Sequence, residues 1–422
     1  MLARRTPTDI APAVPTLGRW ASLRFAYDPD GFLSAGRALG RRFYYDVGPF
    51  FEPWAFHLDG RRVLVVGSRE AADAVLRGPT RFYRGEVLAP LLGRASPLLD
   101  LVRRPDAAPE AGDPYRSAAP SHPPADMDGS ALERIIEAEV RHAAYRRAWA
   151  PSFDVAPALT RAAVQVALRA LGVARHGFNV EPHPDATAAA WALLDAADTP
   201  ALVVPGLRRW SPRWRRLAGA REAFLRAVGL PTWHEFQEEL GTFPWVRVTA
   251  SRHENEREQD RAVTTLVGAV DAPVALALDA LVTRGPAIKR RDLDDAEAAA
   301  PGGARALFAR RRVAAALEQR GPIPLLLREV VREVEVPGLG LLQPGAAVAV
   351  DAASASFPLG WGPHACTGAR LGRAFAEAAV RVCSYLGLEV ARRPGRRVRR
   401  RLVATLPTLW MRATGAGRLR IE

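Results

Sequence analysis

The chain runs to 422 residues, 48% of them hydrophobic, which is enough for a sizeable core in one large enzyme domain. Two cysteines, Cys366 and Cys383, leave no disulfide framework and no zinc cluster; no N-terminal stretch has the apolar length of a membrane span or a signal peptide, so a cytoplasmic protein without a transmembrane segment is expected. The formal charge of +14 is carried by arginine, Lys289 being the lone lysine, and with no nucleic-acid motif beside it this reads as a compositional bias that predicts no nucleic-acid partner.

In chain order, Asp30 is placed to cap a helix over Gly31–Gly40, with Phe32, Leu33, Ala38 and Leu39 on its buried side. Trp54–Leu58 and Arg62–Val66 read as the arms of a hairpin around Asp59-Gly60, a dipeptide suited to a tight turn. Ser68 then caps a helix ending near Arg77. Residues 103–127, rich in Pro, Ala, Asp and Ser and without apolar periodicity, predict a disordered surface insertion. Ser130 and Glu133 have capping-box spacing and open a helix to about Trp149 that carries His142 and Arg146. Those two, four apart, can jointly hold an anion or can be an ordinary solvated face.

From Leu159 to about Leu230 the pattern is helical, with breaks near Thr199-Pro200 and Val204-Pro205, and the basic aromatic run Arg208–Arg216 reads as arginine stems packed over tryptophan. Ser251 and Glu254 repeat the capping box and open a long helix to about Arg284. Inside it Asp271 is costly unless solvated or paired, so it is either a site residue or a core acid bonded to a neighbour. Pro273 removes the N–H that would bond the Ala269 carbonyl, leaving room for water. A further helix spans Ala304–Arg320 and stops at Gly321; a strand covers Ala346–Val350.

The stretch Phe357-Pro-Leu-Gly360-Trp-Gly362-Pro-His364-Ala-Cys366-Thr-Gly368 is the strongest chemical signal. Its glycines let the backbone turn close to a flat ligand, and it delivers Cys366 to a helix over Thr367–Tyr385, whose free N–H groups favour a thiolate. The other reading is a buried, unreactive cysteine beside a turn. Leu371, Phe375, Ala379 and Val382 have core spacing in that helix, and Cys383 belongs with them. Two strands, Arg401–Ala404 and Thr408–Ala413, close the chain.

The pattern Gly360-x-Gly362-x-His364-x-Cys366-x-Gly368 closely resembles the haem-binding loop of the cytochrome P-450 family. The likeness extends upstream to His142-Ala-Ala-Tyr-Arg146 with Ala150-Pro151-Ser-Phe153, to the long helix around Gly268-Ala269-Val-Asp271, and to Pro322-Ile-Pro324-Leu-Leu-Leu-Arg328. It implies a mainly α fold with a minor β-sheet, a cytochrome P-450-like fold, as a single domain over residues 1–422. It implies haem b, with Cys366 as axial ligand to the iron and His142, Arg146, Arg328 and His364 holding the propionates. It also implies a haem–thiolate monooxygenase that oxidises a small apolar organic substrate with dioxygen and electrons from a ferredoxin or similar donor. Asp271 would be catalytic, Val270, Val274, Leu325 and Leu406 would line the pocket, and Thr405-Leu406-Pro407 would turn the family's terminal hairpin.

The chain departs from the family pattern at several points. Leu359 holds the loop-opening aromatic position, Phe357 lying two residues early, and Ala272 stands where the central-helix threonine would fall, or Asp271 does if the alignment shifts by one. Ala315 and Glu318 occupy the Glu-x-x-Arg positions, and the segment Asp351–Phe357 before the loop is short. The missing hydroxyl motivates an alternative peroxide-driven or rearranging haem–thiolate enzyme. The missing ion pair motivates a non-catalytic P-450-like binding protein.

Overall fold

The structure, a computed structural model, describes residues 15–17, 21, 24–25, 28–46, 62–78, 82–83, 129–146, 151–171, 184–197, 212–229, 252–283, 290–300, 302–330, 332–362, 365–366, 368–400 and 403–413. The insertion expected at 103–127 and the hairpin arm Trp54–Leu58 lie outside them. In chain order the N-terminal elements are β1 (Thr16–Leu17), α1 (Pro29–Leu39), β2 (Arg42–Asp46), β3 (Arg62–Val66), α2 (Arg69–Arg77) and β4 (Phe82–Tyr83). Next come α3 (Gly129–Tyr145), β5 (Phe153–Asp154), α4 (Ala156–Ala170), α5 (Pro184–Ala197), α6 (Pro212–Ala227), α7 (Arg252–Val282), α8 (Arg290–Ala299) and α9 (Gly303–Arg320). The chain continues through β6 (Leu325–Val330), β7 (Val334–Val336), β8 (Gly340–Leu342), β9 (Ala347–Asp351), α10 (Ala369–Tyr385), β10 (Leu388–Val390), β11 (Val398–Arg400), β12 (Val403–Thr405) and β13 (Trp410–Ala413). The architecture is mainly α with small sheets, and it divides into two compact units.

The first unit comprises Met1–Ala118, Thr199–Ala218 and Ile323–Cys366. Its six-stranded sheet has the order β1-β2-β3-β9-β6-β4. Both β3 and β9 are near-continuous apolar runs because both faces of the sheet are covered. Alternation sends Val63, Val65, Leu325, Leu327, Ala347 and Ala349 to one face, against Phe25, Phe32, Leu33 and Phe43. The other face places Leu64, Val66, Val348 and Val350 on Val75 and Leu76 of α2 and on Phe357. Leu325, expected to line a pocket, is buried in the first of these clusters.

Two expectations are corrected here. The antiparallel partner of β3 is β2, in register Arg42↔Val66 to Asp46↔Arg62, where a hairpin arm was expected, and β9 takes its other edge. Long-range burial, not the Asp-Gly turn signal, sets the pairing. Helix α1 begins at Pro29 and is capped by Asp28, whose Oδ1 accepts the Gly31 N–H at 3.0 Å, rather than by Asp30. The earlier start turns Pro29, Phe32, Leu33 and Gly36 inward and leaves Ala38 and Leu39 exposed. Gly36 has no Cβ because the Phe43 ring occupies that place.

The second unit comprises Ala119–Asp198, Gly219–Pro322 and Thr367–Glu422. Helix α7 packs on α4, α9 and α10, and α3 packs on α4 and α10. Fully buried alanines on α4 (Ala158, Ala162, Ala163, Ala167) permit close helix approach. Glu133 of α3 pairs with Arg381 of α10 at 2.6 Å, and Glu139 takes Arg161 and Gln165 of α4 at 2.6 and 2.7 Å. Ser130 is therefore not the cap of a Ser130/Glu133 box: it lies inside α3, accepting from Arg134, while Glu133 is spent on α10.

Near the chain's end β12 pairs with β11, and β13 with β10 and β5. The expected hairpin across Thr405-Leu406-Pro407 does not form, since its two arms belong to different sheets. The stretch Thr265–Val282 of α7 is long and apolar enough to cross a membrane, and 72% of it is buried inside the protein, as befits a core helix.

Candidate functional site

The cysteine loop belongs to the first unit and grows out of β9. Asp351, at the strand's end and buried, receives Arg37 through two bonds, Nε to Oδ2 at 2.7 Å and Nη2 to Oδ1 at 2.8 Å, and also accepts the Ser354 hydroxyl at 2.8 Å. That carboxylate holds the Arg37 pKa above its ordinary value, bonding and charge outweighing burial. From this anchor the Phe357 N–H donates to Ala352 at 2.8 Å and the Gly360 N–H to Phe357 at 2.9 Å. Gly360 (φ 77°) and Gly362 (φ 68°) take left-handed conformations that suit glycine.

A Cβ on Gly362 would lie 2.9 Å from the Leu76 carbonyl oxygen and 3.3 Å from Arg77 Cα, so the loop presses its bare backbone onto the end of α2. Its circuit closes where the Cys366 N–H donates to the Leu359 oxygen at 2.9 Å. Cys366 is exposed, which excludes the buried alternative for this residue; Cys383 is the buried cysteine, its thiol pushed up to about 12 by burial. Helix α10 starts at Ala369, with Gly368 at its N-cap, two residues later than expected. Phe375, Ala379 and Val382 are buried in it as the spacing predicts, whereas Leu371 is only half-buried.

Helix α7, in the second unit, carries Asp271 and Pro273. Between Ala262 and Leu281 most side chains are buried, yet Gly268 is exposed and Thr265, Ala269 and Ala272 are only half-buried. Positions three and four apart share a face, so these four form one accessible strip of small residues. A Cβ at Gly268 would meet no heavy atom within 4 Å. Asp271, one turn beyond Gly268, is buried at the strip's border. The helix runs through Pro273, so the Ala269 carbonyl lacks its usual N–H donor. Pro273 is itself packed against Gly372 of α10, where an added Cβ would sit 3.6 Å from the proline ring.

His142 lies in the last turn of α3 and Arg146 just beyond it; the Arg146 N–H donates to the His142 carbonyl at 3.0 Å, and both residues are exposed. The bond is between backbones, and the two stand four residues apart at the end of α3. Arg328 is buried on β6, its Nη1 donating to the Leu327 oxygen at 2.7 Å. His364 lies outside the described residues. Cys366, Arg328 and Asp271 sit on separate elements. Among the described residues no cluster of three or more His, Cys, Asp or Glu could hold a metal ion.

Sequence reasoning missed Arg397, which is almost fully buried in the second unit. Its guanidinium donates to the carbonyls of Arg320 (2.6 Å), Gly321 (2.8 Å) and Ala404 (2.8 Å), and its Nε lies 3.6 Å from Asp279 on α7. One arginine thereby joins the end of α9 to β12 and the central helix. Arg312 does similar work, donating to the Leu281 and Thr283 carbonyls at 2.9 and 3.0 Å, with burial lowering its pKa. Ala315 is buried and Glu318 exposed, so α9 holds no Glu-x-x-Arg pair at those positions. Nothing in the string marks Arg397 among the seven arginines from Arg392 to Arg401.

No protein-family model matches the chain, and neither does any curated protein sequence. Solved structures do. The chain is similar to CYP108D1 from Novosphingobium aromaticivorans, with 14% identity and a TM-score of 0.62 over 95% of this chain and 100% of that one. It is also similar to the haem domain of a Tepidiphilus thermophilus P-450, with 18% identity and a TM-score of 0.58 over 92% of this chain and 94% of that one. An intact type IV self-sufficient cytochrome P-450 monooxygenase gives 17% identity and a TM-score of 0.62 over 98% of this chain and 55% of that one. This chain has the cytochrome P-450 fold.

Proposed function

We propose that this protein is a haem–thiolate monooxygenase, with Cys366 as axial ligand to the iron of haem b, oxidising a small apolar organic molecule with dioxygen and electrons from a ferredoxin-type donor. The observation that carries the reading is the exposed Cys366 at the end of a closed glycine loop, in a chain of cytochrome P-450 fold. Two features, each within its own unit, suit such a group. Cys366 offers a soft, accessible sulfur, and the strip Gly268–Ala269–Ala272 offers a flat ligand a helix face without side-chain bulk.

When bound, thiolate-ligated haem supplies the oxidising power, because the sulfur pushes electron density onto iron and favours O–O cleavage. The chain's own residues do the rest. His142 and Arg146, both exposed at the end of α3, are suited to charge-assisted bonds to propionates; Arg328 and His364 are the other propionate residues of this reading. Asp271 is the proton-handling group: its buried carboxyl borders the accessible strip, and the Ala269 carbonyl, deprived of a helical N–H by Pro273, offers a place for a relay water. Apolar side chains such as Val270 and Val274 beside it suit a greasy substrate. The arginine-borne charge of +14 suits an acidic electron donor in the cytoplasm, with reduction rates that fall as salt rises.

A second reading, peroxide-driven oxidation, is favoured by one observation: Ala272 places a methyl group on the accessible strip where the family pattern carries a hydroxyl. Turnover of an apolar test substrate by haem-loaded protein separates the two. The monooxygenase reading predicts oxidised product with ferredoxin, its reductase, reduced nicotinamide and dioxygen. Product with peroxide alone supports the second reading, and absence of product under both conditions contradicts both.

A further inference from the structure

We infer that Trp361 is a positioning residue for Cys366, clamping the glycine-rich loop to helix α2. The consequence for iron ligation rests on the haem–thiolate reading; the clamp rests on the first unit's geometry alone. A loop at the surface has little core of its own, so something must fix its path. Phe357 does so at one end, being buried in the cluster that contains Val75, Leu76 and Val350. The Trp361 ring stacks on Phe357 with centroids 5.4 Å apart and planes at 23°. The Arg77 guanidinium lies 5.2 Å from the Trp361 centroid, and Arg69 lies 5.7 Å from that of Phe357.

Arg69 and Arg77 are the first and last residues of α2, so the aromatic pair is gripped at both ends of that helix. Arg77 is itself held by Asp73 at 2.8 Å. The residue after Trp361 is Gly362, whose backbone meets the Leu76 carbonyl. Trp361 and Gly362 both fall inside the ring closed by the Cys366 N–H and the Leu359 oxygen. Pinning them therefore sets where the backbone of Cys366 emerges. Leu359 contributes no aromatic ring to the loop, and Phe357 with Trp361 supplies the stacking instead.

The two cysteines make a direct test possible, since selective ¹⁵N-cysteine labelling yields two amide signals, one from the loop and one from the core of α10. In Trp361→Ala the Cys366 amide should exchange with solvent about tenfold faster, the combined scale of one stacking and one cation–π contact. Cys383 should be unchanged, Trp361→Phe should restore most of the protection, and Arg77→Met should show a smaller acceleration. Unchanged Cys366 exchange in Trp361→Ala overturns the clamp. So does acceleration at both cysteines, which would make Trp361 a general stabilising residue. The absorption of the carbon monoxide complex of reduced, haem-loaded protein reads the ligation separately: Trp361→Ala should enlarge the fraction lacking the thiolate signature. A wild type that binds no haem would remove the haem reading and leave the exchange result to decide the clamp.

Discussion

The Nε of Arg397 lies 3.6 Å from the carboxylate of Asp279, with both side chains about 1% exposed, and the same guanidinium caps the end of α9 through Arg320 and Gly321. Buried pairs are most revealing when one partner is removed. Arg397→Met leaves a buried carboxylate and three carbonyls to be satisfied and should cost about 3–5 kcal/mol. Asp279→Asn keeps all three of the arginine's carbonyl bonds and should cost less, about 1–3 kcal/mol. Urea denaturation midpoints test the order, which equal losses would contradict.

Two glycines with opposite surroundings should respond oppositely. Gly362→Ala places a Cβ at positive φ against the backbone of α2 and should cost at least about 1–2 kcal/mol. Gly268→Ala meets open space inside α7 and should stabilise the haem-free protein by up to about 1 kcal/mol. Gly268→Phe should leave the haem-free protein folded yet lower haem or substrate uptake, if the strip is the ligand face. Thermal unfolding and haem titration of the three variants give the comparison.

The cysteines should differ in reactivity. At about pH 8, near the ordinary thiol pKa, alkylation of the native haem-free protein should modify Cys366 and spare Cys383, whose thiol burial pushes up to about 12. The same shift has a stability consequence. Between an unfolded value of about 8.5 and the folded value of about 12, the native state keeps a proton that the unfolded chain has lost, so stability falls as pH rises through that window. Cys383→Val should remove this component of the slope, as read from urea midpoints at pH values on either side of the thiol range.

Capping supplies a local test. Asp28→Ala removes the acceptor for the Gly31 N–H and should cost about 1 kcal/mol. Asp30→Ala, inside the first turn, removes a favourable dipole interaction and charge attraction to Arg37 but no cap, and should cost less. Helicity and unfolding midpoints of the two variants should rank in that order.

Local signals in the sequence carried much of this fold. Ser68, whose side chain makes no capping bond, and Gly321 still mark the bounds of α2 and α9, and the period of Phe375, Ala379 and Val382 predicts their burial in α10. Short-range rules failed where a distant partner decided the outcome. Glu133 is drawn from a capping role by Arg381, and Asp59-Gly60 says nothing of a β3 already bounded by β2 and β9. Of the candidate site, Cys366 and its glycines were legible because the loop's backbone demands them. Trp361 and Arg397 were not, since stacking on Phe357 and a buried contact with Asp279 exist only once the chain is folded.

The central claim is thiolate ligation by Cys366, and the carbon monoxide difference spectrum of the reduced, haem-loaded protein tests it most directly. The account predicts the red-shifted band of a thiolate-ligated complex in the wild type and its loss in Cys366→Ala. A spectrum unchanged by that substitution, or a wild type that takes up no haem, would contradict it.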